Sequence, residues 1–167
     1  MRFHRRRWRL LAASGVDLLA CETVPSVVEV RAMLRLLAET PDTWAWMSFQ
    51  CRDHAHLADG TALGEAVAEC DDAGRVAAVG VNCVPPELVA SLLSVARSAT
   101  SKLLMAYPNS GEAYDATTKM WKPGGEGSDP AEEAPGWRAG GATVLGGCCR
   151  TGPDTIARMR SRLLAPA

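Results

Sequence analysis

Short apolar runs alternate with longer amphipathic stretches along the whole chain. The runs start about 26 to 40 residues apart, which is the length of one strand followed by one helix. They are bounded by Gly, Pro, Asn or Asp and lack polar alternation, which is typical of strands buried on both faces. The five predicted strands are Leu18–Thr23, Trp44–Gln50, Val76–Asn82, Leu103–Asn109 and Thr143–Cys149.

Amphipathic helices are predicted before and between these strands, from capping residues and from apolar residues at helical spacing. The signal is weakest over Asp129–Arg138, because Pro135 interrupts it. The other predicted helices start at Phe3, at Ser26, after Asp59 or Thr61, at Pro85–Pro86 and at Gly152.

Alternating strands and helices predict an α/β fold with a parallel sheet covered by helices. Five such strands fit either an open doubly wound sheet or part of a (β/α)8 barrel, and periodicity alone does not separate the two. The length of 167 residues favours the open sheet, since complete barrels take about 250 residues. The polar stretch Gly111–Pro130 is predicted to be irregular, as either a functional lid or a surface excursion.

Composition narrows the function classes. Apolar residues make up 47% and charged residues 22%, as in an ordinary globular domain. With 18 basic against 19 acidic residues, the net charge of −1 argues against a nucleic-acid partner. The sequence contains no apolar run of membrane-spanning length. Six cysteines are too sparse for a disulfide scaffold and follow no signal-peptide pattern, so we expect a cytoplasmic protein.

The strongest chemical signal lies where three predicted strands end. Glu22 ends one strand, Cys83 follows a second, and Cys148 and Cys149 end a third. Sites in parallel α/β folds form at this edge of the sheet. Three thiolates bind Zn²⁺ at about 2.3 Å and leave a fourth position open, where a substrate thiol would be held as its thiolate.

Two other interpretations of these cysteines stay open on spacing alone. Free cysteines are often small buried hydrophobic residues, and the adjacent Cys148 and Cys149 could form a redox-active disulfide. The remaining side chains that suggest chemistry are predicted to be structural or solvated: Cys21, Cys51, Cys70, His54 and His56.

Six motifs form an ordered set that spans nearly the whole chain. They are Asp17–Thr23, Ser48–Phe49, Asp59–Thr61, Gly80–Cys83, Tyr107–Glu112 and Gly146–Thr151. Together they resemble the zinc-dependent homocysteine S-methyltransferases that use S-methylmethionine or S-adenosylmethionine. The resemblance implies transfer of a methyl group from such a sulfonium donor to the zinc-bound thiolate of L-homocysteine, giving methionine.

The resemblance also assigns roles to single residues. It implies that Zn²⁺ is held by Cys83, Cys148 and Cys149, and that Glu22 binds the homocysteine amino group. The loop that follows the Tyr107–Glu112 motif matches a lid over the methyl donor. The residues expected to line the substrate site are Ser48, Asn82, Tyr107 and Asn109.

The family's fold is a (β/α)8 barrel, and its first three βα units have no counterpart here. The resemblance therefore implies one N-terminally truncated domain over residues 1–167, a partial barrel corresponding to strands 4–8. Open barrel edges predict self-association. An alternative function follows from the same feature: an inactive fragment that needs the missing strands.

Overall fold

The computed structural model describes residues 2–122 and 128–165, which form a parallel sheet, a small hairpin and a layer of helices. The helices are α1 (Arg2–Ala12), α2 (Val27–Ala38), α3 (Leu63–Asp71), α4 (Pro86–Ala99), α5 (Pro130–Ala139) and α6 (Pro153–Leu164). The strands are β1 (Leu19–Val24), β2 (Ala45–Phe49), β3 (Val76–Asn82), β4 (Leu103–Tyr107), β5 (Ala113–Asp115), β6 (Met120–Lys122) and β7 (Ala142–Leu145).

The main sheet has the order β1-β2-β3-β4-β7, and every neighbouring pair is parallel. A doubly wound sheet needs a point where the strand order reverses, and these five strands follow chain order throughout. The open doubly wound sheet that chain length favours is therefore wrong. Each helix from α1 to α5 packs against the next one, so the six helices form a continuous layer.

The two faces of the sheet are covered unequally. Cys21, Met47, Val79 and Leu104 are register neighbours across four strands, and all are buried in the core. The adjacent row, which points to the other face, runs from the exposed Ala20 to Leu103, whose exposed fraction is 54%. The helices therefore cover one face of the sheet, and the other stays partly open.

Most helix and strand boundaries in the structure differ from the predicted ones by one or two residues. The strand over Val76–Asn82 is confirmed at both ends, whereas the last strand ends at Leu145. Gly146–Cys149 is therefore a turn after the strand and no part of it. This matters for the site, because adjacent residues within a strand would point to opposite faces.

The capping prediction for α3 is wrong. This helix begins after Ala62, whose side chain makes no capping hydrogen bond. Asp59 instead accepts the backbone N–H of Thr61 at 2.8 Å and that of Val27 at 3.3 Å. A short polar side chain that satisfies its own loop in this way competes with helix capping. The predicted cap at Ser26 is confirmed, since its hydroxyl accepts the N–H of Glu29.

Two segments are more regular than the sequence predicts. Pro135 lies inside α5, which begins at an Asp129 cap and continues to Ala139. Part of the polar stretch Gly111–Pro130 forms the antiparallel hairpin β5–β6, with Tyr114 paired to Trp121. Residues 123–127 of that stretch lie outside the described residues. No helix in the described part of the chain is long and apolar enough to cross a bilayer.

Close contact between β3 and β4 depends on the absence of a side chain at Gly80. A Cβ atom there would lie 1.9 Å from the carbonyl oxygen of Met105. We expect Gly80→Ala to lower the free energy of unfolding by about 3 kcal/mol, at the upper end of the overpacking range. Urea denaturation measures this change.

Gly136 in α5 is the matched control, because a Cβ at this position would meet no atom within 4 Å. Gly136→Ala should leave stability unchanged or raise it by up to about 1 kcal/mol, since alanine favours helices over glycine. Equal stability of the two variants would contradict the packing described for β3 and β4.

Candidate metal and substrate site

Parallel pairing brings the carboxyl ends of five strands to one edge of the sheet. Asn82 ends β3, Tyr107 ends β4, and the turn Gly146–Cys149 follows β7. Ser48 lies one residue before the end of β2, and Glu22 lies near the end of β1. The structure thus gathers most of the sequence-predicted site residues at the edge where α/β sites form.

Three thiols meet at this edge. The Sγ atoms of Cys83, Cys148 and Cys149 all lie within 4.8 Å of one another, and those of Cys83 and Cys149 are 3.3 Å apart. Two thiolates bound to a tetrahedral zinc at 2.3 Å would be about 3.8 Å apart. The cluster therefore fits a thiolate-binding metal. Within residues 2–122 and 128–165 it is the one group of His, Cys, Asp or Glu that meets this spacing.

The turn after β7 explains how two adjacent cysteines face the same point. A Cβ atom on Gly147 would lie 2.1 Å from the hydroxyl oxygen of Thr151, so the turn closes only with glycine there. The Thr151 hydroxyl donates to the carbonyl oxygen of Cys148 at 2.7 Å, and the Thr151 N–H donates to the same oxygen. Arg150 takes a left-handed backbone with φ of +66°, which completes the turn.

Cys83 also has a left-handed backbone, with φ of +53°, directly after the last residue of β3. Burial and, to a lesser degree, the neighbouring thiols of Cys149 and Cys148 together raise the pKa of its thiol to about 12. Without a metal, this cluster therefore favours a protonated Cys83. A cation bound among the three sulfurs would reverse that preference.

A buried amide connects three strands beneath the thiols. The Oδ1 atom of Asn82 accepts hydrogen bonds from the Ser48 hydroxyl at 2.7 Å and from the Thr23 N–H at 2.8 Å. Its Nδ2 atom donates to the Thr23 hydroxyl at 2.7 Å and lies 3.9 Å from the Cys148 sulfur. Because the Ser48 proton goes to Asn82, the Tyr107 hydroxyl donates its proton to the Ser48 oxygen.

Burial, with a smaller contribution from the nearby carboxylate of Glu22, raises the pKa of Tyr107 to about 12. Tyr107 is therefore a neutral hydrogen-bond donor at physiological pH. Glu22 itself is exposed at the rim, where it can reach a cationic group.

Two residues have roles beyond those expected. Thr23 is absent from the predicted site, yet it holds the Asn82 amide from a left-handed backbone with φ of +58°, which is rare for a β-branched residue. Asn109 is buried, and its amide binds the Cys83 carbonyl oxygen and the Gly111 N–H. It therefore orders the two loops, and its expected place in the substrate lining stays a prediction.

The other predicted structural and solvated side chains lie away from the cluster. Cys21, Cys51 and Cys70 are buried. His54 contacts the Ser91 hydroxyl at 2.8 Å, and His56 contacts Asp53 at 2.9 Å. Each histidine thus has a polar partner outside the thiol cluster.

Alkylation of the folded, metal-free protein should distinguish the two sets of cysteines. The exposed Cys149 should react with iodoacetamide first, and Cys83 more slowly because of its raised pKa. Burial raises the pKa of Cys21, Cys51 and Cys70 to about 12, so these should react only after unfolding. Peptide mass spectrometry reads out each position, and labelling of Cys70 as fast as Cys149 would contradict the structure.

Comparison with known proteins identifies relatives of the chain. The homocysteine S-methyltransferase family model matches residues 1–163. Homocysteine S-methyltransferase YbgG of Bacillus subtilis is 42% identical over 154 residues, covering 92% of this chain and 49% of the relative. Homocysteine S-methyltransferase of Escherichia coli is 44% identical over 161 residues, covering 96% of this chain and 52% of the relative.

Solved structures agree with these relatives. The apo form of the homocysteine methyltransferase MmuM from Escherichia coli matches with a TM-score of 0.82 and 39% identity, over 96% of this chain and 55% of that one. Its metallated form matches with a TM-score of 0.81 and 38% identity, over 95% of this chain and 49% of that one. The chain spans about half the length of the curated relatives it matches. In sequence and in fold alike, the chain belongs to the homocysteine S-methyltransferase family.

Proposed function

We propose that this chain carries the metal centre and part of the homocysteine site of an enzyme that transfers a methyl group from a sulfonium donor to L-homocysteine. The donor is S-methylmethionine or S-adenosylmethionine, and the product is methionine. The observation that carries this proposal is the meeting of three thiols, from two separate loops, beside the Asn82 amide, with the Glu22 carboxylate near Tyr107 at the same edge of the sheet.

The proposed metal is Zn²⁺, held by Cys83, Cys148 and Cys149. Their sulfur spacing and the soft character of thiolate ligands both support this choice. When bound, the ion supplies a fourth position where the homocysteine thiol is oriented and its pKa lowered. The amide of Asn82, 3.9 Å from the Cys148 sulfur, supports the orientation of that ligand.

Recognition of homocysteine is assigned to the chain's own side chains. Glu22 lies exposed at the rim and would form an ion pair with the substrate ammonium group. Ser48, Asn82 and Tyr107 form one hydrogen-bonded floor beneath the thiols, with the Tyr107 phenol neutral. Asn109 would contribute by holding the Cys83 loop through the hydrogen bond from its amide to the Cys83 carbonyl oxygen.

The proposed methyl transfer needs no general acid among Ser48, Asn82 and Tyr107. The homocysteine sulfur attacks the methyl carbon in line, and the donor leaves as a neutral thioether that needs no proton. Binding and alignment of two substrates are then the main contributions of the protein. A neutral Tyr107 and a serine already hydrogen-bonded to an amide suit that role, because neither has to exchange a proton.

We further propose that residues 1–167 form one domain whose five strands are strands 4–8 of a (β/α)8 barrel. The partly open sheet face supports this, since Leu103 and Val144 are 54% and 43% exposed there. A complete barrel of this kind has three further βα units, which these five strands do not supply. The edge strands of this sheet, β1 and β7, favour self-association.

We also propose a cytoplasmic location, supported by six free thiols.

A second candidate function follows from that open face: the chain alone is inactive and gains activity only when the missing strands are supplied. The face that would bind homocysteine is bounded by uncovered apolar side chains on β4 and β7. An enzyme with such a site would let water reach the reacting groups.

Removal of one thiol tests the metal site. We expect the chain to hold about one zinc ion, and Cys149→Ala to weaken zinc binding by at least about 100-fold, since a structural or catalytic zinc needs its full ligand set. Competition with a chromophoric chelator measures the affinity. Cys51→Ala is the control, because Cys51 is buried away from the cluster and should leave zinc affinity unchanged. Equal zinc affinity in the two variants would refute the ligand assignment.

Methyl transfer is tested by mixing the chain with a segment that carries the first three βα units of the Escherichia coli relative. We expect methionine to form from homocysteine with at least one of the two sulfonium donors in the mixture.

Glu22→Gln should raise the homocysteine KM by about tenfold or more, as expected for loss of a charged hydrogen bond. Asp42→Asn, in the loop before β2 at the opposite edge of the sheet, should not change it.

Two outcomes separate the candidate functions. Turnover by the chain alone would refute the requirement for missing strands. A mixture that assembles and holds zinc, yet transfers no methyl group from either donor, would refute the proposed reaction.

A further inference from the structure

The segment after β4, residues 108–112, touches the first of the two loops that carry the thiols. The N–H of Asn109 donates to the carbonyl oxygen of Val84 at 3.0 Å. Its side-chain Nδ2 donates to the carbonyl oxygen of Cys83 at 3.3 Å. One end of this segment, which we call the 108–112 bridge, is therefore tied to the Cys83 loop.

The same segment touches the second loop as well. The carbonyl oxygen of Pro108 accepts the N–H of Cys148 at 2.8 Å, and the N–H of Ser110 donates to the carbonyl oxygen of Cys149 at 3.1 Å. The bridge thus contacts the backbone of all three cysteines while contributing no thiol of its own. It sets the distance between two loops that are far apart in sequence.

An ion pair fastens the far end of the bridge. Arg150 directly follows Cys149, and its Nε and Nη2 atoms donate to the two carboxylate oxygens of Glu112 at 2.6 and 3.2 Å. The Ser110 hydroxyl donates to the same carboxylate at 3.0 Å. A two-pronged contact of this kind fixes orientation as well as distance. Because β5 begins at residue 113, the pair also anchors the β5–β6 hairpin beside the thiols.

We propose that Glu112 and Arg150 are positioning residues of the thiol cluster. Their ion pair holds the Cys148–Cys149 turn against the 108–112 bridge and so keeps the Cys149 sulfur within reach of Cys83. The importance of this ion pair for the enzyme rests on the proposed metal site. Its effect on the positions of the three thiols does not depend on that proposal. The pair acts through the backbone and touches no sulfur.

The size of the effect follows from where the pair lies. Partners that orient metal ligands are worth about 10- to 100-fold in metal affinity. The Arg150 and Glu112 side chains are 54% and 26% exposed, and solvent weakens an ion pair of that kind. We therefore expect a loss of about three- to tenfold when the pair is broken.

The test uses the metal-free chain and phenylarsine oxide, which binds two neighbouring thiols and releases water. A Cys148→Ser background removes the adjacent pair, so the arsenical has to join Cys83 to Cys149 across the two loops. In this background Glu112→Gln should weaken capture of the arsenical by about three- to tenfold. The double exchange Glu112→Arg with Arg150→Glu should restore part of the loss.

Glu69→Gln is the matched control. Its pair with Arg31 has a similar two-pronged geometry and side-chain exposures of 48% and 26%, and it joins α2 to α3. Capture by this variant should equal that of the background protein. If Glu112→Gln captures the arsenical as tightly as Glu69→Gln does, the proposal is overturned. A chain that captures the arsenical but not zinc would refute the metal site and leave the positioning role standing.

Discussion

Parallel pairing of β3 with β2 and β4 is the constraint on which the site depends. It places Asn82 and Cys83 between the ends of two neighbouring strands, and it requires a glycine at residue 80 for close approach. From there the Asn82 amide reaches Thr23 on β1 and Ser48 on β2. The position of each polar group is thus a consequence of sheet register. The position of the thiol cluster depends on the same register.

The sequence predicts the strands from strong local signals, whereas the cluster depends on the shared edge of distant strands and on the family resemblance. Continuous apolar runs predict the five parallel strands, and the shared edge of parallel strands predicts that Cys83, Cys148 and Cys149 approach one another. The hairpin β5–β6 is not predictable in this way, since its short strands are exposed at Tyr114 and Met120 and carry no buried apolar pattern.

Other features depend on backbone geometry that the sequence does not reveal. The hydrogen bonds of Thr23 require a left-handed conformation that β-branched residues rarely adopt, so no propensity rule would select it. Asn109 is predicted to line the substrate site, and the structure adds a role that its residue type does not reveal, a hydrogen bond from its amide to the Cys83 carbonyl oxygen. Asp59 is a plausible helix cap by residue type, yet it satisfies its own loop. In each case a local hydrogen bond decides the role.

X-ray absorption at the zinc edge tests the central claim, that Cys83, Cys148 and Cys149 together bind one zinc ion. The zinc-loaded chain should show three sulfur neighbours at about 2.3 Å and one lighter neighbour in the absence of homocysteine. Addition of the selenium analogue of homocysteine should introduce a selenium neighbour in place of the lighter one. A spectrum with only nitrogen and oxygen neighbours would contradict the account, because the metal would then lie outside the thiol cluster.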